Sequence, residues 1–447
     1  MIKTRGVNMA ELRRVRLGRR NFLKMLGVAG GVGVAGAPRW SLAQGKAPAF
    51  PKGTKLQMLK ASIFPGPIED EETQRLANEW KKDSGVDVTM ESLPPNDLQA
   101  RTTTHIELRT GPDIILMIHN WPHLYEDGLV DVSDLAEELG AKYGGYYPDS
   151  KAQSFVKGRW RAVPYNILAN AHSYRTDWFA EIGVKKFPET WDEYRRVGKQ
   201  LKARGHPFGQ ALGHSFGDPA TFVYPFLWSF GAKEIESDGK TVAIDSKETV
   251  AALEFMAGLW KDAFDEGGVA WDDNSNNRAF LGGQLSCTLN GASIYIVAKR
   301  DFPEVANKMA HAANPAGPKG RFHSNIIVEA AILKSSKNVD VAKAFIRWMM
   351  DKPQYTRWME AVRGYYTGPT RAWEQHPIWE KEPVMAPIRE CAKHGQVPGY
   401  AGPPSRAASE AVAKYIIVDM FAKTVAGEPP KKAVQWAASE LRQIYKG

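Results

Sequence analysis

Between residues 56 and 118 the chain alternates apolar runs with amphipathic ones in a pattern that few folds accept. Residues 56–63 read as a strand. Residues 69–83 read as a helix with acids in its first turn, Leu76, Ala77 and Trp80 on one face, and Lys81 and Lys82 near its end. That placement of charge suits the helix dipole. Gly85 stops the helix, and residues 86–91 form a second strand. Residues 96–110 predict another helix, after which Gly111-Pro112 leads into Asp113-Ile-Ile-Leu-Met-Ile118, an apolar run expected of a buried strand. Strand, helix, strand, helix and strand in about sixty residues is a βαβ pattern and calls for a parallel α/β sheet.

The alternation returns downstream. Residues 161–171 read as extended, 177–182 as a short helix and 190–204 as a longer one, with Thr190 and Glu193 spaced as a capping box. Further helices are expected over 219–230, 247–266, 339–350, 352–360, 405–426 and 430–445. No internal repeat interrupts the series, so 447 residues predict two α/β lobes with the chain crossing between them. A hydrophobic content of 43% and a charged content of 24% exclude a disordered chain and a multi-span membrane protein. Two cysteines exclude a disulfide scaffold and a Cys-rich zinc module.

A formal net charge of +9 raises the possibility of a nucleic-acid partner, but its distribution argues otherwise. Residues 1–44 hold nine basic groups and one acid, leaving residues 45–447 with 50 basic and 49 acidic groups. The basic stretch is followed by the apolar, Gly-rich run 25–37, too short to span a bilayer, and then by Ser41-Leu42-Ala43, a small-residue cleavage pattern. These are the three parts of a signal peptide, expected over residues 1–43. Gly18-Arg19-Arg20-Asn21-Phe22-Leu23-Lys24 is similar to the twin-arginine export motif, although Ser or Thr is commoner where Gly18 stands. Gly31-Val-Gly33-Val-Ala-Gly36 matches a dinucleotide fingerprint, but no strand precedes it, so it reads as part of the export signal. The expected location is the bacterial periplasm, with no nucleic-acid partner.

Several segments together resemble the extracellular solute-binding proteins of ABC importers, the family that includes maltose-binding protein. They are Gly111–His119 with Gly128-Leu-Val-Asp-Val132, Val163-Pro-Tyr-Asn166 with Ser173–Gly183, Phe187–Tyr194, Ala279–Gly283 leading to Asn290-Gly291, and Ser335–Phe345. The resemblance implies a two-lobed periplasmic-binding-protein fold of type II, with the ligand cleft between lobes joined by hinge crossovers near 162–170 and 321–330. Lobe 1 is expected over 50–163 and 330–365, and lobe 2 over 164–325 and 400–447, with 366–399 as a connecting segment. It further implies a monomeric binder without cofactor or catalysis, delivering a small solute to ABC permease subunits. No P-loop sequence occurs, so the ATPase would be a separate polypeptide.

A neutral polyhydroxylated ligand needs aromatic faces for its C–H patches and amides or carboxylates for its hydroxyls. Candidates of those types near the ends of strands are Phe64, Asn120, Trp121, Tyr165, Asn166, Asn290, Ser293 and Tyr295. Tyr224 and Trp228, in a segment similar to an aromatic cleft helix of the family, and Tyr400, in the Pro/Gly loop before the C-terminal helices, complete the set. A carbohydrate or polyol is the expected cargo. A carboxylated or phosphorylated one would want a pair of arginines, for which Arg363 and Arg371 are placed.

Other chemistries compete less well. A non-transport solute receptor on the same fold is one alternative, because fold alone does not fix function. An exported serine hydrolase is another: Gly213-His-Ser-Phe-Gly217 matches the nucleophile-elbow motif, with Ser215 as nucleophile. The next helix begins late, at Asp218-Pro219, which leaves Ser215 in a loop. His119 and His123 are four apart, but Pro122 denies them a common helix face. Asp272-Asp-Asn-Ser-Asn-Asn277 opens like a calcium loop but lacks the Gly and Glu that such a loop needs, and reads as a solvated loop. Cys287 and Cys391 could pair in an oxidising compartment.

Overall fold

The computed structural model describes residues 50, 51 and 53–446. The expected export signal, with Arg19 and Arg20, lies outside the described residues. Lys55–Ala61 (β1), Pro67–Ser84 (α1), Asp87–Leu93 (β2), Pro95–Leu108 (α2) and Ile114–Ile118 (β3) reproduce the expected alternation. α1 begins on a proline, carries Glu69 and Asp70 in its first turn, and ends at Gly85 in the left-handed region, φ 77°. Trp80 on its inner face packs against Phe345 and Trp348 at ring distances of 5.4 and 5.5 Å.

Four more strands are Val163–Leu168 (β4), Ala171–Arg175 (β5), Cys287–Asn290 (β6) and Met309–Ala312 (β7); Ile326–Ile332 is β8. The first sheet runs β2-β1-β3-β8-β4. β1 is parallel to both β2 and β3, whereas β8 returns antiparallel to β3 and β4. All five side chains of β3 and all seven of β8 are buried, as expected of central strands covered on both faces. The second sheet, β6-β5-β7, is antiparallel and pairs Ala171 with Asn290.

Each sheet has its own apolar core. One holds Leu56, Ile115, Ile327, Phe345 and Trp358; the other holds Tyr194, Phe208, Phe226, Trp260 and the faces of the C-terminal helices through Ala411, Phe421 and Leu441. These are the two lobes. The chain passes between them at 169–170, at 313–325 and again at 392–405.

Several expectations need correction. β4 is in the first sheet, so the first lobe continues to residue 168 instead of ending at 163, and it resumes at 326 with β8 instead of at 330. The segment 366–399 is part of the first lobe, because Trp373, Trp379, Met385 and Ile388 are buried in its core. The helix expected over 405–426 is two, Arg406–Ala413 and Ile416–Val425, because Tyr415 adopts φ 55° and breaks the hydrogen-bond ladder. The helix expected over 247–266 stops at Ala263 and gives way to a 3-10 turn. At the helix Trp191–Lys202 the Thr190 hydroxyl accepts from Glu193 N as expected, while the Glu193 carboxylate reaches Glu189 N.

Candidate functional site

A cavity of about 460 Å³ opens where the C-terminal ends of β1 and β3 meet the end of β6 and the β4–β5 crossover. Ligand sites in α/β sheets gather at such strand ends. Its walls come from both lobes.

The wall from the second lobe is a chain of hydrogen-bonded amides and carboxyls. Asp218, the first residue of the helix Asp218–Ser229, accepts from Asn276 Nδ2 (2.6 Å) and Asn290 Nδ2 (2.7 Å), both at Oδ2. Asn290 Nδ2 also donates to Asn277 Oδ1 (2.5 Å), and its Oδ1 accepts from Ser293 Oγ (2.7 Å). A neighbouring carboxylate, Asp273, accepts from Ser215 Oγ (2.7 Å), Asp218 N (2.8 Å) and Gly217 N (3.0 Å). Gly217 must be glycine for this, since a Cβ there would lie 2.8 Å from the Asp273 carboxyl. Burial, and then the charge of Asp273, raise the Asp218 carboxyl well above the ordinary range; burial also raises Asp273.

The first lobe supplies aromatics and one ion pair. Phe64 follows β1, and Tyr365 and Tyr366 meet edge to face at 4.5 Å. One face of Tyr366 stacks on Trp358 at 5.5 Å, which fixes its plane. Lys60, buried at the end of β1, bonds Glu69 (3.0 Å) and Asp70 (2.7 Å). Burial works against the Lys60 charge, but Glu69 and Asp70 outweigh it and the ammonium is held charged.

Of the residues expected from sequence, Phe64, Asn290 and Ser293 line this cavity. The other eight do not. Trp121 packs edge to face on Phe216 (5.5 Å), and the neighbouring Asn120 is buried, its backbone oxygen accepting from Ser409. The Tyr355 hydroxyl bonds both Tyr165 O and Asn166 Oδ1 (2.7 Å each) within the first core. Tyr224, Trp228 and Tyr400 cluster in the second lobe, with ring distances of 5.6 and 6.1 Å. Tyr295 donates to Glu382 (2.9 Å). These side chains were chosen as polar or aromatic groups near strand ends or in an aromatic helix, and their packing partners lie away from the cavity.

Sequence reasoning missed Asp218, Asp273, Asn277, Tyr365 and Tyr366. In sequence Asp218 reads only as the start of a helix, and the signals of the other four lay in two segments given other meanings. The stretch Asp272–Asn277 is a cavity wall and not simply a solvated loop, and Gly364–Pro369 contributes its tyrosines while Arg363 and Arg371 stay off the cavity. Arg371 faces Glu374 instead (3.8 Å).

The competing chemistries lack their geometry. The Ser215 hydroxyl donates to the Asp273 carboxyl, and the adjacent His214 is bonded to Asp419 (2.7 Å), so the Ser–His pair of a hydrolase is not formed. His119 bonds Phe216 O and His123 bonds Ala152 O. Among the described residues no group of three or more His, Cys, Asp or Glu side chains is placed to hold a metal ion. Cys287 and Cys391 are buried free thiols and do not pair; Cys287 sits by Tyr194 and Cys391 by His323.

Comparison with known proteins places this architecture. The chain is 25% identical over 286 residues to a binding protein of Brucella abortus (strain 2308), of whose length it spans 65%, the match covering 60% of this chain. It is 23% identical over 393 residues to the erythritol/L-threitol-binding protein of Mycolicibacterium smegmatis, covering 80% of this chain and 82% of that one. Among solved structures, a maltose-bound T. maritima protein superposes with a TM-score of 0.77 at 22% identity, covering 88% of this chain and all of that one. A ribitol complex of an ABC transporter solute-binding protein from Agrobacterium radiobacter K84 gives 0.74 at 21%, covering 88% and 99%. The fold is therefore that of the two-lobed sugar-binding proteins. Residues 65–356, more than half of the chain, match the family model for bacterial extracellular solute-binding proteins, and the chain belongs to that family.

Proposed function

We propose that the chain is the substrate-binding component of an ABC importer. In this reading it captures a neutral polyhydroxylated solute in the interlobe cavity, closes over it by hinge bending, and presents the closed form to membrane permease subunits. A separate polypeptide supplies the ATPase, and the binder acts as an exported monomer in the periplasm. The cargo is a sugar, oligosaccharide or polyol.

One observation carries the reading: the hydrogen-bonded row Asp218–Asn290–Asn277–Ser293 faces Phe64, Tyr365 and Tyr366 across the cavity. A hydroxyl both donates and accepts, so a row of amide and carboxyl groups in fixed orientation serves several hydroxyls at once. The aromatic side covers the C–H edges of the same molecule. Two of the acids on the cavity already have partners inside the protein, Glu69 in Lys60 and Asp273 in three donors, which supports an uncharged guest. The names of the relatives, which bind erythritol or L-threitol, ribitol and maltose, point the same way.

The test is a thermal-shift screen with tetritols, pentitols, monosaccharides, maltose, polyamines and amino acids. A ligand at 100 times its dissociation constant stabilises the folded chain by about 2.7 kcal/mol, a readily measured shift. A shift with a polyhydroxylated compound that is lost in Asn290→Ala supports the reading. A shift confined to polyamines or amino acids overturns it.

A further inference from the structure

The cavity has a third wall, which belongs to neither lobe. Ala169 and Asn170 join β4 to β5 as the first crossover, and the Asn170 side chain lines the cavity while the residue is only 4% exposed. Among the described residues that line the cavity, Asn170 alone has a buried side-chain nitrogen or oxygen without a hydrogen-bond partner, its Nδ2. Three other amides of the lining are spent. Asn290 Nδ2 is shared between Asp218 and Asn277, Asn277 Nδ2 reaches Ser293 Oγ (3.4 Å), and Asn96 Nδ2 donates to His214 O (2.9 Å).

The neighbours that the fold sets about the crossover offer this donor no acceptor side chain. Leu168 and Ile326, partners in the β4–β8 register, are aliphatic. Gly291, which follows β6, has no side chain, and a Cβ there would lie 2.8 Å from Leu168 Cδ1. Ala171, next along the chain, is paired with Asn290, so Asn170 stands beside the amide row without joining it. A buried donor left unpaired is costly, and folded proteins rarely keep one without a use for it. On the wall of a cavity, the use is a bond to the guest.

We propose that Asn170 is a solute-binding residue, its amide left unpaired by the protein's own contacts so that a hydroxyl of the guest completes it. The assignment rests on the capture of a polyhydroxylated solute in this same cavity. The terminal torsion of an asparagine is broad and roughly twofold, so the amide can turn its nitrogen or its oxygen toward the guest without moving the crossover backbone. A hydroxyl answers either end, since it both donates and accepts. The contact therefore selects for an oxygen at the crossover end of the guest. A molecule with a C–H group in that place leaves the amide unpaired and is discriminated against.

The experiment has two arms, both on the full chain. In the first, urea unfolding without solute compares Asn170→Leu, a near-isosteric apolar replacement, with Asn276→Leu, whose Nδ2 has Asp218 (2.6 Å) and Thr288 (3.0 Å) as partners. Asn170→Leu should lower the unfolding equilibrium constant about fivefold or more, because the unpaired donor is gone, whereas Asn276→Leu should raise it by at least about as much. A rise in Asn170→Leu matched by one in the smaller Asn170→Ala shows a structural amide and overturns the proposal. In the second arm, thermal shifts with erythritol, ribitol, maltose, spermidine and glycine give the affinity of each chain. Asn170→Ala should bind the polyol or sugar about tenfold more weakly or worse, so that affinity falls where solute-free stability does not. Unchanged affinity in Asn170→Ala overturns the proposal even where the polyol reading holds. Shifts confined to spermidine or glycine overturn the polyol reading, and Asn170 then keeps its role only if Asn170→Ala loses those shifts. With no shift from any of the five, the urea arm decides.

Discussion

Replacing Asp273 with alanine tests how the cavity wall is built. The carboxylate is the acceptor for the hydroxyl of Ser215 and for the backbone N–H groups of Gly217 and Asp218. In Asp273→Ala the serine can re-aim its hydroxyl, but the two backbone donors lose their acceptor. A buried donor stripped of its partner costs about 1–3 kcal/mol, so the two together cost roughly 2–6 kcal/mol. Burial already works against the charge of Asp273, which places the expected loss in the lower half of that range. Urea unfolding at pH 7 measures it, and Ser215→Ala serves as the control with an expected loss under about 1 kcal/mol. Because Asp218 begins its helix on the bond to Asp273, solute affinity should fall with stability. A change under about 0.5 kcal/mol in Asp273→Ala, with affinity intact, would refute the claim that this carboxylate organises the wall.

Three further outcomes are expected. His119 is buried, and burial lowers its imidazole to about 4, so its contribution to stability is complete above pH 6.5 and lost as the pH falls toward 4. His119→Gln should therefore gain on the unmodified chain by about 3 kcal/mol between pH 7 and pH 4, measured by urea unfolding across that range. Arg109 ends α2 in the left-handed region at φ 53°, and Arg109→Gly should raise the unfolding free energy by about 0.5–1 kcal/mol; a loss would show that its side chain holds more than the helix end. Both thiols are buried, and burial pushes Cys391 up to about 12 and Cys287 higher still, so neither should react with Ellman's reagent until the chain is unfolded, when two should.

The fold was legible where burial and periodicity agree. The five opening elements came out within two or three residues of their expected limits, because β3 is apolar at every position and α1 carries both its caps and its charges in sequence. The site was legible only in part, because what singles out a site is which face of a loop remains open, and that depends on distant chain. Trp121 follows a strand and Asn290 ends one, yet Phe216 covers the first while the second stays on the cavity. Asn120 is polar and next to a strand end, but the helix Arg406–Ala413 closes over it through Ser409. Tyr366 comes into place through packing on Trp358, and Tyr365 through packing on Tyr366, contacts that no local pattern announces. Tyr415 misled for a simpler reason: nothing in its surroundings in sequence signals a left-handed residue inside an amphipathic run.

The order of strands has a consequence for how such a chain is made. β8 lies between β3 and β4 in the first sheet, and the second core is filled by Phe421 and Leu441. Neither lobe can therefore finish its interior from a contiguous stretch emerging from a ribosome. Contacts this distant in sequence make folding slow, and the half-built chain leaves strand edges and apolar faces open to other chains. Removing even the last helix would deprive the second lobe of Ala433, Ala437 and Leu441, and progressive C-terminal truncation should give insoluble chains well before it gives a shorter folded one.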